Sequence, residues 1–154
     1  MSAKKEASKK SKKSTKDKFL EEIVLGIDYG ERNIGLALGH NGLTMPLHVV
    51  DARDSQQALS EINRLVRENK IKRIILGLPL NSAGKETAMA KTIRTFSKLV
   101  KMETKLPVVF MDEYATSIES VKMALDQDMS QKRRQQIDHL SAALIIKNYY
   151  ESLN

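Results

Sequence analysis

Four acidic residues stand at places in this sequence where carboxylates could act together. Asp28 follows the apolar run "IVLGI", while Asp112 and Glu113 follow the apolar run "LPVVFM". The carboxyl ends of parallel strands share one edge of a sheet, where open α/β sheets place their sites, so we expect these acids to meet if the two strands are adjacent. Asp138 adds a fourth position, at the border of the apolar stripe of a late helix. That predicted stripe consists of Ile137, Leu140 and Leu144.

Such a group of carboxylates predicts a divalent metal site, because the negative charges would otherwise repel one another. Mg²⁺ prefers oxygen ligands and keeps water and phosphate oxygens in the rest of its shell. Two such ions about 3.5–4 Å apart can activate an attacking water and stabilise the leaving oxygen of a phosphodiester. Each acid also has a structural explanation, since Asp28 can end a strand at a turn and Asp138 can face solvent on its helix. Asp112 and Glu113 can likewise be the solvated end of a strand, so the metal hypothesis depends on convergence.

The elements that must position these acids form a mixed pattern. Three β-rich runs come first, and two continuous apolar runs then alternate with helical periodicity, which predicts a mixed sheet flanked by helices. Pro46 in the third run favours an edge strand. Asp54 with Gln57, and Thr116 with Glu119, have the spacing of helix starts. The predicted strands are 23–29, 34–39, 43–50, 73–80 and 106–113, and the predicted helices are 55–69, a stripe from 89 to 100, 116–125 and 134–152.

Composition excludes several classes of site. The 154 residues include no cysteine, so a disulfide framework and a thiolate zinc site are excluded, and a metal must be held by oxygen or histidine. No window approaches the roughly 20 apolar residues of a membrane-spanning helix, and the N-terminus lacks the apolar core of a secretory signal. The sequence therefore predicts a cytoplasmic protein without a membrane partner.

The net charge of +7 is concentrated at one end of the chain. Residues 1–18 contain eight lysines against two acids, whereas the chain from residue 19 onward carries 18 basic and 17 acidic residues. A Lys/Ser-rich segment almost without apolar residues predicts a disordered tail over 1–18 and a folded domain over 19–154. The tail is either an electrostatic arm for phosphate backbones or a solubilising segment without a specific partner.

Four motifs give this sequence a resemblance to a known family. In order and spacing, "LGIDYGERNIGLALG", "ILGLPLNSAGKE", "VVFMDEYATSIES" and "QIDHLSAALIIKNYYE" resemble the YqgF family, the Holliday-junction-resolvase-like pre-16S rRNA nucleases of bacteria. The resemblance covers nearly everything from 23 to 151. It implies an α/β protein with a ribonuclease H-like fold, in which a mixed five-stranded sheet is flanked by helices.

The resemblance also assigns roles to individual residues. It implies that Asp28, Glu113 and Asp138 bind Mg²⁺ or Mn²⁺, with Asp112 as a further ligand, and that all four acids are catalytic. Gly30 matches a glycine of the first motif. The strand-to-helix loop of the second motif would bring Asn81 and Gly84 to the substrate backbone.

Two departures from the family pattern concern positive charge. Tyr114 stands where members commonly carry an arginine after the acidic pair, and Asn33 stands where a basic residue is often found. A guanidinium fork matches phosphate oxygens well, so its loss weakens charge stabilisation at a scissile phosphate. Arg32 or Lys85 would substitute. The basic cluster before the last helix, with Arg133 and Arg134, is either a phosphate contact or a solvated charge cluster.

The sequence thus predicts a metal-dependent nuclease. The resemblance implies a role in maturing the 5′ end of precursor 16S rRNA, with nucleic acid and ribosomal precursor particles as partners. Two alternatives stay open at this point. One is an endonuclease for branched DNA such as a Holliday junction, and the other is a non-catalytic RNA- or ribosome-binding module with the same fold.

Overall fold

The computed structural model describes residues 12–113 and 131–154, and over 131–139 it describes the helical backbone alone. The order of elements follows the predicted alternation. Three strands precede the first long helix, and strands and helices alternate afterwards. The helices are α1 (Thr15–Glu21), α2 (Ser55–Asn69), α3 (Ala88–Thr104) and α4 (Gln131–Ser152), and the strands are β1 (Val24–Tyr29), β2 (Asn33–His40), β3 (Leu43–Asp51), β4 (Arg73–Pro79) and β5 (Val108–Glu113).

The five strands form one mixed sheet in the order β3-β2-β1-β4-β5. β1 and β2 pair antiparallel, as do β2 and β3, whereas β1 with β4 and β4 with β5 are parallel. The mixed five-stranded sheet and the edge position of the strand that contains Pro46 are therefore confirmed. β1 and β5 are not neighbours, although adjacency was the condition on which their acids were expected to meet, because β4 lies between them and pairs with both.

The two faces of the sheet carry different helices. The larger core lies on the face covered by α2 and α3, where Leu25 and Ile27 of β1 are fully buried. The smaller core lies on the face covered by α4, where Val24 of β1 and Ile75 of β4 are fully buried. Successive side chains of a strand point to opposite faces. Odd and even positions of each central strand therefore reach different layers of the molecule.

Helix α4 approaches the sheet closely because β1 has no side chain at the crossing point. A Cβ atom added at Gly26 would lie 2.5 Å from Ile146 Cγ1 and 2.7 Å from the carbonyl oxygen of Ala142. The buried face of α4 includes Ala142, Ile145 and Ile146. Leu140 is 55% exposed, so the stripe predicted for this helix was wrong in its orientation. The missing side chain of Gly26 thus makes room for Ile146 and for the backbone of Ala142 against β1.

Helix α1 begins at Thr15, inside the segment 1–18 that was predicted as a tail. Ser14 caps this helix: its hydroxyl accepts from the Asp17 backbone N–H at 3.1 Å, and the Asp17 carboxylate accepts from the Ser14 N–H at 3.3 Å. Arg73 lies over the ring of Phe19, 4.6 Å from its centroid. Capping and this packing order a lysine-rich segment that composition alone assigned to the tail. Residues 1–11 of the predicted tail lie outside the described residues.

The remaining helix predictions have mixed outcomes. The start of α2 is confirmed, since Asp54 accepts a hydrogen bond from the Gln57 N–H at 3.0 Å. The described part of the last helix, Gln131–Ser152, includes the whole predicted range 134–152. The helix predicted over 116–125 lies outside the described residues. In the described ranges, no helix combines the length and apolar character that crossing a membrane requires.

Candidate active site

Asp28 and Glu113 point to the same face of the sheet. On β1, Asp28 is in phase with Val24, which packs beneath α4. On β5, Glu113 is in phase with Met111, which also packs on the α4 side. Both acids stand at the carboxyl ends of parallel strands and both are half-buried. The predicted convergence of these two acids is therefore supported by strand phase, although their strands are not neighbours.

Gly77 of β4 lets Glu113 reach across the intervening strand. A Cβ atom at Gly77 would lie 2.9 Å from Glu113 Cδ and 3.0 Å from Glu113 Oε2, so the carboxylate occupies the space that a side chain would fill. Neighbouring strands are about 4.8 Å apart, which separates the backbones of β1 and β5 by roughly 10 Å. Because the Glu113 side chain extends over β4, its carboxylate lies closer to β1 than the backbone of β5 does. Gly77 thus leaves room for the Glu113 side chain to extend towards Asp28.

The other side of Asp28 is also bordered by glycine. Asp28 pairs with Gly35 of β2, and residues paired across an antiparallel ladder project to the same face. This region of the sheet, called the glycine trough below, is bordered by Gly35 on one side of Asp28 and by Gly77, with the Glu113 carboxylate over it, on the other. A half-buried carboxylate in such a trough can be approached by a cation and by a phosphate group.

Asp112 lies on the opposite face from Asp28 and Glu113. It is in phase with Phe110, which packs in the core beneath α2 and α3, and its side chain is exposed. There it acts on Arg94 of α3, whose pKa is raised first by the hydrogen bond to Glu86 and also by the negative charge of Asp112. The structure therefore separates Asp112 from the other acids, and its predicted role as a further metal ligand does not fit. The alternation of strand side chains, applied to two consecutive acids, gives the physical reason.

The backbone of Asp138 is in α4, one turn before Ala142. Helix α4 runs antiparallel to β1. Its residues Tyr150 and Ile146 lie against Gly39, which pairs with Val24 at the start of β1. Its earlier residue Ala142, with Ile146, lies against Gly26, two positions further along β1. One further turn of about 5.4 Å along the helix matches about two residues of strand, which brings position 138 level with Asp28. The side chain of Asp138 lies outside what the structure describes, as do those of Arg133 and Arg134. Their predicted roles remain predictions.

Two carboxylates in this trough fit the chemistry of a hard divalent cation. Mg²⁺ is usually held by one or two carboxylates together with water and phosphate oxygens, and Asp28 and Glu113 supply that number on one face. Among the side chains of residues 12–113 and 140–154, no group of three or more histidine, cysteine or acidic residues could hold a metal ion. A third protein ligand would have to come from another part of the chain, for which Asp138 is the predicted residue.

The β1–β2 turn is held in place by its backbone. Gly30 donates its N–H to the Asn33 carbonyl oxygen at 2.9 Å, and a Cβ atom at Gly30 would lie 2.9 Å from that same oxygen. The backbone carbonyl oxygen of Arg32 accepts from the Ala52 N–H at 2.8 Å, which connects the turn to the end of β3. The side chain of Arg32 is exposed. Gly30 therefore shapes the turn that follows Asp28, while Arg32 has a side chain available to an incoming phosphate.

The loop between β4 and α3 is organised by Asn81. The Asn81 side-chain oxygen accepts from the Ala83 N–H at 2.9 Å and from the Lys85 N–H at 3.0 Å. Gly84 has a φ of +74°, a conformation that glycine adopts without strain. These contacts give Asn81 and Gly84 a structural role in the loop, in addition to the substrate contact predicted for them. Lys85 is exposed on this loop, at the same edge of the sheet as the two acids.

Gly77 is the residue that sequence reasoning missed. In the sequence, Gly77 lies near the end of the predicted strand 73–80 and no role is predicted for it. A signal was present, since a glycine inside a continuous apolar strand marks a place where another group approaches the backbone closely. What the sequence alone withheld was the identity of that group, because the approach of Glu113 depends on the strand order.

Comparison with known proteins identifies the family. The family model described as "RuvX: Holliday junction resolvase" matches residues 22–152. The chain belongs to the RuvX family. The resemblance inferred from the four motifs is thereby confirmed, and the chain is a nuclease of the resolvase-like class, a hydrolase of phosphodiester bonds.

Curated relatives of this RuvX chain cover most of its length. A Bacillus subtilis protein named "Putative pre-16S rRNA nuclease" is 31% identical over 136 residues, which span 85% of this chain and 99% of the relative. A Dictyoglomus thermophilum protein of the same name is 32% identical over 129 residues, which span 82% and 93%. A third, from Chloroflexus aurantiacus, is 30% identical over 135 residues, which span 86% and 88%.

Solved structures that resemble this RuvX chain show its fold. Thermus thermophilus RuvC in complex with a Holliday junction substrate has a TM-score of 0.53 at 16% identity, with 85% of this chain and 96% of that chain covered. A second structure of the Thermus thermophilus protein has a TM-score of 0.51 at 15% identity, with 84% and 96% covered. The ribonuclease H-like fold implied by the motifs is confirmed.

Proposed function

We propose that this RuvX chain is a metal-dependent nuclease that processes the 5′ end of precursor 16S rRNA. The observation that carries the proposal is the placement of Asp28 and Glu113 on one face of the sheet, with Gly77 holding Glu113 over β4. Two half-buried carboxylates on one face of the sheet supply the oxygen ligands that a hard divalent cation prefers. The names of the curated relatives support precursor rRNA as the substrate.

Asp28, Glu113 and, from α4, Asp138 would hold Mg²⁺ or Mn²⁺. When bound, the ion supplies charge neutralisation at the scissile phosphate and lowers the pKa of a coordinated water. Asp28 and Glu113 would accept hydrogen bonds from an attacking water and orient it in line with phosphorus. The exposed cations Arg32 and Lys85 flank this edge and bind phosphate oxygens on either side of the cleaved bond. Asp112 takes no part in these steps.

A protein with this chemistry would meet its substrate on ribosomal precursor particles in the cytoplasm. Nucleic acid is the partner that the family supports, and precursor particles are the form in which precursor 16S rRNA is present. No contact with a membrane is needed for the proposed activity.

Branched DNA is a second candidate substrate, and a specific observation favours it. The matching family model is described as a Holliday junction resolvase, and a structure with the same fold holds a Holliday junction. The same acids would cleave either polymer, since they act on the phosphodiester and not on the base. The choice between RNA and DNA therefore has to be made by experiment.

The first prediction concerns this choice. Incubated with Mg²⁺, the full chain should cleave a precursor 16S rRNA fragment that spans the mature 5′ end, and should cleave a four-way DNA junction at least about tenfold more slowly. Product lengths on a sequencing gel and initial rates measure both reactions. Faster cleavage of the junction would make branched DNA the substrate, and cleavage of neither would overturn the proposed function.

A further inference from the structure

Four exposed lysines of α3 lie along one side of the helix. At about 100° per residue they fall within an arc of about 80°, and at about 1.5 Å per residue they extend over about 21 Å. The last of them is the C-cap residue of the helix. These residues, called the lysine ridge below, are Lys91, Lys98, Lys101 and Lys105.

The charge of the ridge is largely uncompensated. Within the described part of the chain, no ridge lysine forms an ion pair. Lys91 lies near Glu86, but that carboxylate accepts a hydrogen bond from Arg94 at 2.6 Å, which holds the pKa of Glu86 below its usual value. The acid of α3 itself, Glu103, accepts from the Asn63 side chain of α2 at 3.1 Å. Among the residues that the structure describes, Lys98, Lys101 and Lys105 therefore face solvent without a carboxylate partner.

Helix α2 shows the contrasting arrangement on the same side of the sheet. Arg64 forms ion pairs with both Glu61 and Glu68. Glu61 also lies 3.2 Å from the ring of His48. Three of the four charged side chains of α2, all but Arg67, thus form ion pairs, whereas in the described part of the chain the ridge lysines form none. A row of unpaired ammonium groups is suited to a polyanion rather than to the protein's own surface.

The ridge begins at the edge of the sheet that carries the candidate site. Helix α3 follows the loop after β4, so its first turns lie at the carboxyl ends of β1, β4 and β5, where Asp28 and Glu113 stand. The C-cap residue Lys105 lies at the opposite edge, close to Pro107 before β5. The ridge therefore leads away from the site along the face of the sheet that α4 does not cover.

We propose that the lysine ridge binds the phosphate backbone of the nucleic acid that flanks the cleaved bond. This inference rests on the proposed function, because it needs a nucleic acid held at the site. A duplex carries about one negative charge per 1.7 Å, so 21 Å of ridge faces roughly a dozen phosphates and contacts about four of them. Lysine is a compact point charge that contacts phosphates without reading sequence. The ridge would hold the flanking segment whatever its sequence.

The test measures binding separately from cleavage. The full chain with K91Q, K98Q, K101Q and K105Q combined is titrated into a fluorescently labelled RNA duplex in EDTA, across a series of salt concentrations. A matched control removes the same charge elsewhere, with R67Q, K70Q, K72Q and K147Q combined, all at exposed positions outside α3. For the ridge variant, the negative slope of log K for RNA binding against log[salt] should become shallower by about three to four. Its affinity for the duplex at 0.1 M salt should fall at least about tenfold. The control should retain most of the wild-type slope.

The outcomes separate the ridge from the catalytic proposal. An unchanged slope for the ridge variant, or an equal loss in the control, overturns the ridge as a nucleic-acid surface and leaves an acidic protein as its occupant. If wild type binds RNA with a ridge-dependent slope but cleaves no substrate when Mg²⁺ is added, the ridge stands and the proposed nuclease function fails. If wild type cleaves and the ridge variant binds as wild type does, the nuclease stands and the ridge fails.

Discussion

Glu113→Gln is expected to abolish cleavage, whereas Asp112→Asn, one residue earlier, should leave it nearly intact. Glutamine keeps the size of the side chain over Gly77 and removes its charge, so the metal loses a ligand while the packing stays. Loss of several kcal/mol of charge stabilisation lowers the rate by at least about a thousandfold. Asp112 faces Arg94 on the other side of the sheet, so its substitution should change kcat by less than about threefold.

Initial rates of cleavage in Mg²⁺, together with thermal unfolding of each variant, measure this difference. The pair is internally matched, because the two acids are neighbours in the chain and each substitution removes one charge. Equal losses of activity at the two positions would contradict the assignment of the acids to opposite faces. Retained activity in Glu113→Gln would remove Glu113 from the site.

Gly77→Ala is expected to reduce cleavage strongly while costing only moderate stability. The added Cβ would lie 2.9 Å from Glu113 Cδ and 2.7 Å from Ile145 Cδ1, so either the carboxylate or α4 must shift. Overpacking of this kind costs about 1–3 kcal/mol of unfolding free energy. A displacement of about 1 Å in a positioned group can lower the rate by about a hundredfold. Cleavage rate and unfolding free energy, measured on the same preparation, give both effects.

Two further variants distinguish positioning from general damage. Gly42→Ala is the control, since Gly42 has a φ of +81° in the turn between β2 and β3 and its added Cβ would lie at an ordinary 4.0 Å from Leu20 Cδ2. It should cost about 1–2 kcal/mol through backbone strain and leave catalysis near wild type. In Gly77→Ala with Ile145→Val, the contact with Ile145 Cδ1 is relieved and the contact with Glu113 stays. Stability should recover in part and activity should not; recovery of both would show that Gly77 acts only through packing.

Features decided by neighbouring residues could be predicted from the sequence. The start of α2 at Asp54 depends on a hydrogen bond to a residue three positions later, and the edge position of the strand with Pro46 depends on a missing N–H. The alternation of strands and helices followed from apolar periodicity. These features need no knowledge of distant parts of the chain, so the pattern was sufficient.

Features that depend on long-range packing were predicted less well. The order of β1, β4 and β5 is set by which free strand edges are available, and no local pattern encodes it. The stripe predicted for α4 was wrong in its orientation, because the helix meets β1 at Gly26 through Ala142 and Ile146 and leaves Leu140 exposed. Helix α1 was not predicted, because its lysine-rich composition indicates a disordered segment, whereas the capping by Ser14 stabilises a helix there.

In the candidate site, too, some residues could be predicted from local sequence and others depend on the strand order. The sequence singled out Asp28 and Glu113, and the structure brings them to one face. It also grouped Asp112 with them, although the alternation of strand side chains was enough to separate two consecutive acids. The part played by Gly77 needed the strand order, because its function is to let a side chain from one strand cross another.

The measurement that tests the central claim most directly is the metal dependence of cleavage by wild type and by Asp28→Asn. Asparagine keeps the shape of the side chain on β1 and removes the charge that faces Glu113. Wild type should cleave precursor rRNA with Mg²⁺ or Mn²⁺ and lose the activity in EDTA, while Asp28→Asn should stay folded and cleave at least about a thousandfold more slowly in either metal. Undiminished cleavage by Asp28→Asn, or full wild-type activity in EDTA, would contradict a metal site built on these two acids.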